Sequence, residues 1–281
     1  QYLIQQEEAE KRDHRKLGNE LDLFASSEEL GSGNFLWKPK GAVLRDVIES
    51  YSKKAHLQNG YSLVNTPHIG KSILWETSGH LDHYSENMYP PIHHVENNET
   101  YYLKPMNCPF HILVYKSDLH SYKELPLRYF EFGSVYRYEK TGVLHGLLRL
   151  RGFTQDDAHI FCTIEQINDE VKTLLSFSVN LLSSFGLTEI EADLSTKPKK
   201  YIGSDKDWDN ATSSLKQSLT ELEVPFQTAE GEGAFYGPKI DLHAKDAIGR
   251  RWQLSTIQID FAQPENFDIE YVNSNNKKSR P

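Results

Sequence analysis

The sequence predicts an α+β fold in which an antiparallel β-sheet is flanked by helices, and three observations carry that expectation. Residues 130–162 (FEFGSVYRYEKTGVLHGLLRLRGFTQDDAHIFC) alternate aromatic and β-branched with polar residues on both sides of a turn-like EKTG at 139–142, the pattern of an antiparallel hairpin. Residues 41–58 and 163–185 carry apolar side chains at helical spacing. Two further strand-like runs, 240–244 and 251–261, follow a glycine-rich segment.

Composition bounds the rest. The 281 residues, 38% hydrophobic and 25% charged, suit one large soluble domain or two small ones. No apolar run approaches the roughly 18 residues of a membrane span and no signal peptide opens the chain, so no membrane partner is expected. Two cysteines, Cys108 and Cys162, are too few for a disulfide framework and point to a reducing compartment. Lys+Arg 31 against Asp+Glu 40 gives 31 − 40 = −9, which argues against non-specific nucleic-acid binding and leaves open an RNA partner met through a local basic patch.

In chain order, residues 1–24 are polar with Leu3, Ile4, Leu17, Leu21 and Leu23 among good helix formers, and predict a solvated linker helix. LGSGN at 30–34 is a glycine loop without the lysine of a P-loop or the GxGxxG spacing. The helix of 41–58 bears Val43, Leu44, Val47, Ile48 and Tyr51 on one stripe and stops at Asn59-Gly60. A short strand at 61–64 follows, which Pro67 confines to an edge or an end. His80, His83, His93 and His94 fit no compact zinc spacing and are read as surface or lid residues.

The strand 101–103 runs into KPMNC at 104–108, with Asn107 as cap of a helix that starts near Cys108-Pro109 and continues through 113–122. A cysteine at a helix N-terminus has its thiolate favoured, which suits a metal ligand or a nucleophile; a small buried apolar residue is the alternative. In the hairpin, strand geometry puts Arg137 with Glu139 on one face, and Arg149 with Arg151. Planar guanidiniums on a sheet floor suit a polyanion, since each can grip phosphate oxygens bidentately. Asp156, Asp157 and His159 add to the charge of this stretch, and Cys162 reads as core. TIEQ at 163–166 is a capping box for the next helix, and the strand 189–195 and helix 208–222 are scaffold. EGEGAFYGPK at 230–239 lets backbone approach a ligand closely, with Tyr236 as donor and Lys239 as cation. In 251–261, Gln253, Ser255 and Ile257 share one face and Trp252, Leu254, Thr256, Gln258 and Asp260 the other; polar Thr256 and Gln258 in an apolar strand suggest a polar cleft.

FGSVYRYE at 132–139 followed by RLRGFTQDDAHIFC at 149–162 resembles motif 2 of the class II aminoacyl-tRNA synthetases in its threonyl-tRNA synthetase version. KPMNC paired with DDAHIFC is that family's combination, GAFYGPK and STIQIDF resemble it too, and 41–67 resembles the dimer-forming motif 1. The likeness runs from about residue 12 to 281 and is of bacterial type. It implies a class II fold, an antiparallel sheet flanked by helices. It further implies a linker helix at 1–24 and a catalytic domain at 25–281 lacking motif 3, with the N-terminal editing and C-terminal anticodon-binding domains absent from this chain.

The implied activity is that of a threonine–tRNA ligase with the substrates L-threonine, ATP and tRNA(Thr), and with Zn²⁺ and Mg²⁺ as cofactors. Arg137 and Lys239 would be catalytic; Arg137, Glu139, Arg149, Gln253 and Thr256 would hold ATP; Met106, Gln155, Asp157, Tyr236 and Gln258 would hold threonine. Cys108 and His159 would be two of three zinc ligands, the third being absent from this chain. A hydrophobic pocket rejects valine poorly, whereas a site that binds the hydroxyl rejects it by roughly 10⁴ or more, and serine, one methyl short, leaks through. A homodimer through 41–67 and a cytoplasmic location are implied, an organelle of bacterial descent being the second choice. The rival readings are a non-catalytic synthetase-like module that binds RNA or a partner, and a zinc-stabilised structural domain, for which two ligands are too few.

Overall fold

The computed structural model describes residues 2–94, 96–246 and 249–281. Gln1 and the side chain of Leu3, both within the expected linker helix, lie outside the described set, as do Val95, Ala247 and Ile248. The chain divides into two compact units, Gln1–Tyr115 with Arg128–Ile160, and Lys116–Leu127 with Phe161–Pro281.

The first unit opens on two helices in place of the single one expected, α1 (Tyr2–Lys11) and α2 (His14–Glu20). Asp13 separates them: its backbone is extended and its carboxylate accepts the Arg15 N–H at 2.8 Å, a cap that starts a new helix. The main elements that follow are α3 (Pro39–Gln58), β1 (Ser62–Leu63), β2 (Ile69–Lys71), β3 (Ile92–His94), β4 (Glu99–Leu103), α4 (Cys108–Lys116), β5 (Leu127–Tyr136) and β6 (Gly152–Phe161). α3 begins at a proline, which is preorganised for the first turn. Its apolar stripe faces outward: Val43, Leu44, Val47, Ile48 and Tyr51 are exposed, while Gly41, Ser52 and His56 are buried.

β1 pairs in parallel with β5, Ser62 opposite Tyr129, and sits at the edge of the β1-β5-β6 sheet as Pro67 requires. β4 lies between β2 and β3, antiparallel to both. Trp75, Phe110, Tyr115, Phe130 and Val135 are buried in this unit.

β5 and β6 run antiparallel, with the Arg137 N–H bonded to the Arg151 carbonyl at 2.8 Å and the Ser134 and Thr154 hydroxyls 3.0 Å apart. The hairpin is therefore present, but not its tight turn. Residues 137–151 leave the ladder, with a 3₁₀ turn at Thr141–Val143 and one isolated bridge between His145 and Arg149. Arg137, Glu139, Arg149 and Arg151 thus stand on the connection and not on a sheet face. Side chain to main chain bonds take the place of the ladder there: Arg151 donates to the carbonyls of Glu139 (3.0 Å) and Ser32 (3.2 Å) and to the Thr141 hydroxyl (3.2 Å).

In the second unit, His120–Ser121 pairs in parallel with Tyr271–Val272, which ends the helix expected through 122 at Lys116. Cys162 lies just past β6 and is half-buried. The Thr163 and Gln166 capping box forms as anticipated and leads into α5 (Ile167–Ser184). Its main further elements are β7 (Ile190–Ser195), α6 (Asp205–Glu221), β8 (Phe226–Ala229), β9 (Lys239–Lys245) and β10 (Arg251–Gln258). α6 starts before the expected 208 because Ser204 caps it, accepting the Asp207 N–H at 3.2 Å, with Asp205 and Asp207 in the positive first turn.

The sheet order is β8-β7-β9-β10, parallel only between β8 and β7. Val171 and Leu175 of α5 and Leu215 and Leu219 of α6 bury one face of it with Ala192, Leu194, Ile240, Leu242 and Ile257. That packing leaves the alternate residues of β7, β9 and β10 for polar work.

Candidate functional site

In the first unit the arginine connection meets the KPMNC segment. Arg137 Nε donates to the Pro105 carbonyl at 3.2 Å, and the guanidinium lies over the Phe153 ring, 5.1 Å from its centre. Arg149 reaches the Glu139 carboxylate with two nitrogens, at 3.2 and 3.1 Å. Met106 has its sulfur 3.3 Å from His80 Nε2. His80 is not on the surface as expected: it is 2% exposed, bonded through Nδ1 to the Ser78 hydroxyl at 2.8 Å and set edge-on to Trp75. His83, His93 and His94 are exposed as read.

Burial, helped by the charge of Arg137, pulls the His80 pKa down to about 4. The ring is neutral in the fold and charges on unfolding, so between pH 4 and 6.5 the unfolded chain binds more protons and stability rises with pH. Acidification across that window should cost about 3 kcal/mol from this group alone, by 1.36 kcal/mol per pKa unit. His80→Gln is expected to flatten the pH dependence of the urea midpoint between pH 4 and 6.5; an unchanged slope would remove His80 as its source.

β6 presents two faces. Towards α3, the Ser52 hydroxyl donates to Asp156 at 3.0 Å and Arg45 donates to the Thr154 hydroxyl at 2.8 Å. Gln155, Asp157 and His159 occupy the alternate positions. Adjacent aspartates of the same sequence run thus do different things.

Asp157 accepts the Asn107 side-chain amide at 2.9 Å. Asn107 therefore does not cap α4 with its side chain; its carbonyl takes the first helical bonds, from Phe110 and His111, while its side chain is fully buried against Gly133. Cys108 is the first residue of α4 and is half-buried. Burial pulls the His159 pKa down to about 4, against the opposing pull of Asp157. A thiol at a helix start and a neutral imidazole have the donor chemistry of a zinc pair. Among the described residues, no group of three or more His, Cys, Asp or Glu is arranged to hold a metal ion.

Behind His159 lies a polar network that the sequence reading missed. His159 Nδ1 is 2.8 Å from His111 Nδ1, and His111 Nε2 is 3.2 Å from Glu131 Oε1. Glu131 also accepts the Thr66 N–H at 2.9 Å and hydroxyl at 2.6 Å, with Lys104 Nζ at 3.5 Å. Burial alone would raise the Glu131 pKa, but His111, Thr66 and Lys104 bring it down to about 2. The available signal was the charged Glu131 in the apolar half of a strand.

The second unit gathers its polar residues on Asp241, also missed. Asp241 Oδ1 accepts from Gln253 at 2.7 Å and Thr256 at 2.8 Å, while Lys239 reaches Oδ2 at 2.7 Å and the Ser195 hydroxyl donates to Oδ2 at 3.3 Å. Gln253 and Thr256, expected on opposite faces, are brought together by a bulge: Leu242 faces Ser255 and His243 faces Gln253, so Leu254 is the extra residue and is exposed. Gln258 Nε2 donates to the Gly237 carbonyl at 3.2 Å. Ala234 and Gly237 form a bridge that includes Tyr236 in its turn, and a Cβ on Gly237 would lie 1.8 Å from the Ile259 carbonyl oxygen. Only glycine permits that approach.

This fold and motif geometry agree with what the chain is similar to. Residues 92–281 match the tRNA synthetase class II core domain (G, H, P, S and T), and the chain belongs to that family. Within it the chain falls in the threonyl-tRNA synthetase branch. It is 57% identical over 275 residues to the threonine–tRNA ligase of Aquifex aeolicus, covering 98% of this chain and 43% of that protein. It is 52% identical over 280 residues to the chloroplastic/mitochondrial threonine–tRNA ligase 2 of Arabidopsis thaliana, again 43% of that protein. The chain thus spans less than half the length of these relatives. The crystal structure of the RNA binding domain of threonyl-tRNA synthetase from Cryptosporidium parvum Iowa II superposes with TM-score 0.91 at 40% identity, covering 96% of this chain and 67% of that one. Giardia lamblia prolyl-tRNA synthetase, at 15% identity and TM-score 0.71, shares the fold.

Proposed function

We propose that this chain is the greater part of the catalytic core of a threonine–tRNA ligase, with 1–24 as a linker and 25–281 as a catalytic domain that motif 3 would complete. L-threonine and ATP would give threonyl adenylate and pyrophosphate, and the threonyl group would then pass to the 3′ end of tRNA(Thr). The observation that supports this most is the Arg137 to Pro105 hydrogen bond, because it joins the phosphate-type arginine of one motif to the Met106 and Cys108 segment of another.

Attack of the threonine carboxylate on the α-phosphate needs positioning and charge stabilisation more than covalent help. Arg137 would bridge that phosphate and the carboxylate, and Lys239, already oriented by Asp241, would serve as the second catalytic cation. Glu139 and Arg149 would take the adenine side and the outer phosphates, with Gln253 and Thr256 completing the nucleotide site and Mg²⁺ accompanying ATP. Asp157 would take the threonine amine, with Met106, Gln155, Tyr236 and Gln258 around the side chain. Zn²⁺, held by Cys108, His159 and a ligand from outside this chain, would supply Lewis-acid recognition of the hydroxyl and so reject valine.

The outward apolar stripe of α3 favours a homodimer through 41–67, because a stripe that wide is seldom left to solvent. Val47→Asp in the full-length protein is expected to weaken dimerisation by about 30-fold or more, as for an interface anchor worth ~2 kcal/mol. Sedimentation equilibrium showing an unaltered dimer would reject this interface. The cytoplasm is the location the reading favours, with an organelle of bacterial descent second.

Threonine-dependent ATP–pyrophosphate exchange tests the whole reading, run on this chain beside a version extended through motif 3. Exchange by the extended form with threonine and some serine, but not valine, is the expected result, and the short form is expected to be much weaker. A folded, zinc-loaded extended form that exchanges with none of them would leave a synthetase-like binding module instead.

A further inference from the structure

We propose that Glu131 and His111 form a buried relay that fixes His159 as its Nδ1–H tautomer, leaving Nε2 with the lone pair that a metal needs. The proposal rests on the zinc reading for its purpose and on the first unit's hydrogen bonds for its content.

The relay starts from a group that can only accept. Glu131 is 2% exposed and its carboxylate faces the Thr66 N–H, the Thr66 hydroxyl, Lys104 Nζ and His111 Nε2. An ionised carboxylate has no proton to give, so His111 Nε2 carries the hydrogen of the 3.2 Å contact. Lys104, 1% exposed, already balances the Glu131 charge. His111 is fully buried, and the relay takes it as a neutral imidazole, with one ring nitrogen a donor and the other an acceptor.

Neutral His111 with its proton on Nε2 has a bare Nδ1. That nitrogen lies 2.8 Å from His159 Nδ1, and two bare nitrogens would repel at such a distance, so the hydrogen between them belongs to His159. The two rings stand at 83° to each other with their centres 4.6 Å apart. The nearest Asp157 oxygen is 3.9 Å from His159 Nδ1, beyond hydrogen-bond reach, and the other oxygen is already engaged by Asn107.

A metal-binding histidine commonly donates its second ring nitrogen to a carboxylate, which sets the tautomer and the ring's orientation. Here one histidine is interposed, and the carboxylate is anchored by Thr66 and Lys104. His111 and Glu131 are thus positioning residues, acting on the substrate only through His159.

The test uses the full-length protein labelled with ¹⁵N-histidine and stripped of metal, the His159 signal being assigned by its loss in His159→Asn. The parent should show His159 protonated on Nδ1. Zinc(II) affinity, measured by competition with a chromophoric chelator, should fall by about 10–100-fold in His111→Leu. It should largely recover in His111→Asn, whose amide oxygen can accept the His159 proton. Should His111→Leu fail to fold, Glu131→Gln takes its place: its amide can donate to His111 Nε2, reverse the relay and produce the same loss. A parent with His159 protonated on Nε2, or a folded His111→Leu protein that binds zinc as the parent does, overturns the relay. A parent with the Nδ1–H tautomer that takes up no zinc overturns the zinc reading instead, and with it the purpose of the relay.

Discussion

Arg137→Ala should lower threonine-dependent ATP–pyrophosphate exchange in the full-length protein by about 10²–10³-fold, the usual cost of removing one group that meets developing charge. Arg137 is held before any substrate arrives: its Nε is bonded to Pro105 and its guanidinium plane lies over Phe153. That restraint removes rotamer freedom that substrate binding would otherwise have to remove, so the residue works with little reorganisation. Arg137→Lys keeps the charge but loses the fork and the stacking, and should recover less than about tenfold. The Michaelis constant for threonine should rise as well, because the same guanidinium is assigned to the amino acid's carboxylate. If Arg137→Ala exchanges within a few-fold of the parent while remaining folded, the assignment of this arginine to the phosphate is wrong.

The helices and strands that sequence periodicity identified are those whose burial is local. The capping box at Thr163 and Gln166, the helix it starts and the alternation of 190–195 are found where the pattern puts them, because each is decided within one or two turns of chain. What the pattern could not decide was which surface is covered. Val43, Leu44, Val47, Ile48 and Tyr51 have the spacing of a core-facing stripe and yet are exposed, since Gly41, Ser52 and His56 pack inward. The spacing of apolar residues reports that a stripe must be covered, not that the same chain covers it.

The site divides along the same line. Arg137, Cys108 and His159 were singled out by residue type and motif, because the role proposed for each lies in its own side chain. His111, Glu131, Lys104 and Asp241 were not, because their role is to hold other side chains across β-strands far apart in sequence. The pairing of Gln253 with Thr256 was hidden for a different reason: one bulge at Leu254 reverses the face of everything beyond it, and period-2 counting has no means to register an extra residue. The arginines at 137, 149 and 151 were put on a strand by the same counting, although their segment leaves the ladder and Arg151 bonds to the carbonyls of Glu139 and Ser32 there.

Gly133→Ala is the substitution expected to connect stability with threonine recognition most directly. Gly133 lies in β5, and a Cβ there would sit 2.2 Å from Asn107 Nδ2 and 2.5 Å from both Cγ and Oδ1. Asn107 is fully buried and cannot swing into solvent, so either β5 or the start of α4 must shift. Overpacking of this kind costs about 1–3 kcal/mol. Displacing Asn107 also breaks its 2.9 Å bond to Asp157, the carboxylate assigned to the threonine amine, and the Michaelis constant for threonine should rise by about tenfold. Adding Asn107→Ala makes room for the new methyl, so the double variant should regain much of the stability lost by Gly133→Ala, a coupling of about 0.5–3 kcal/mol. It should not regain threonine affinity, because Asp157 still lacks its amide donor. Recovery of both properties would mean that Asn107 fills space and does not orient Asp157; recovery of neither would mean that the methyl disturbs β5 itself.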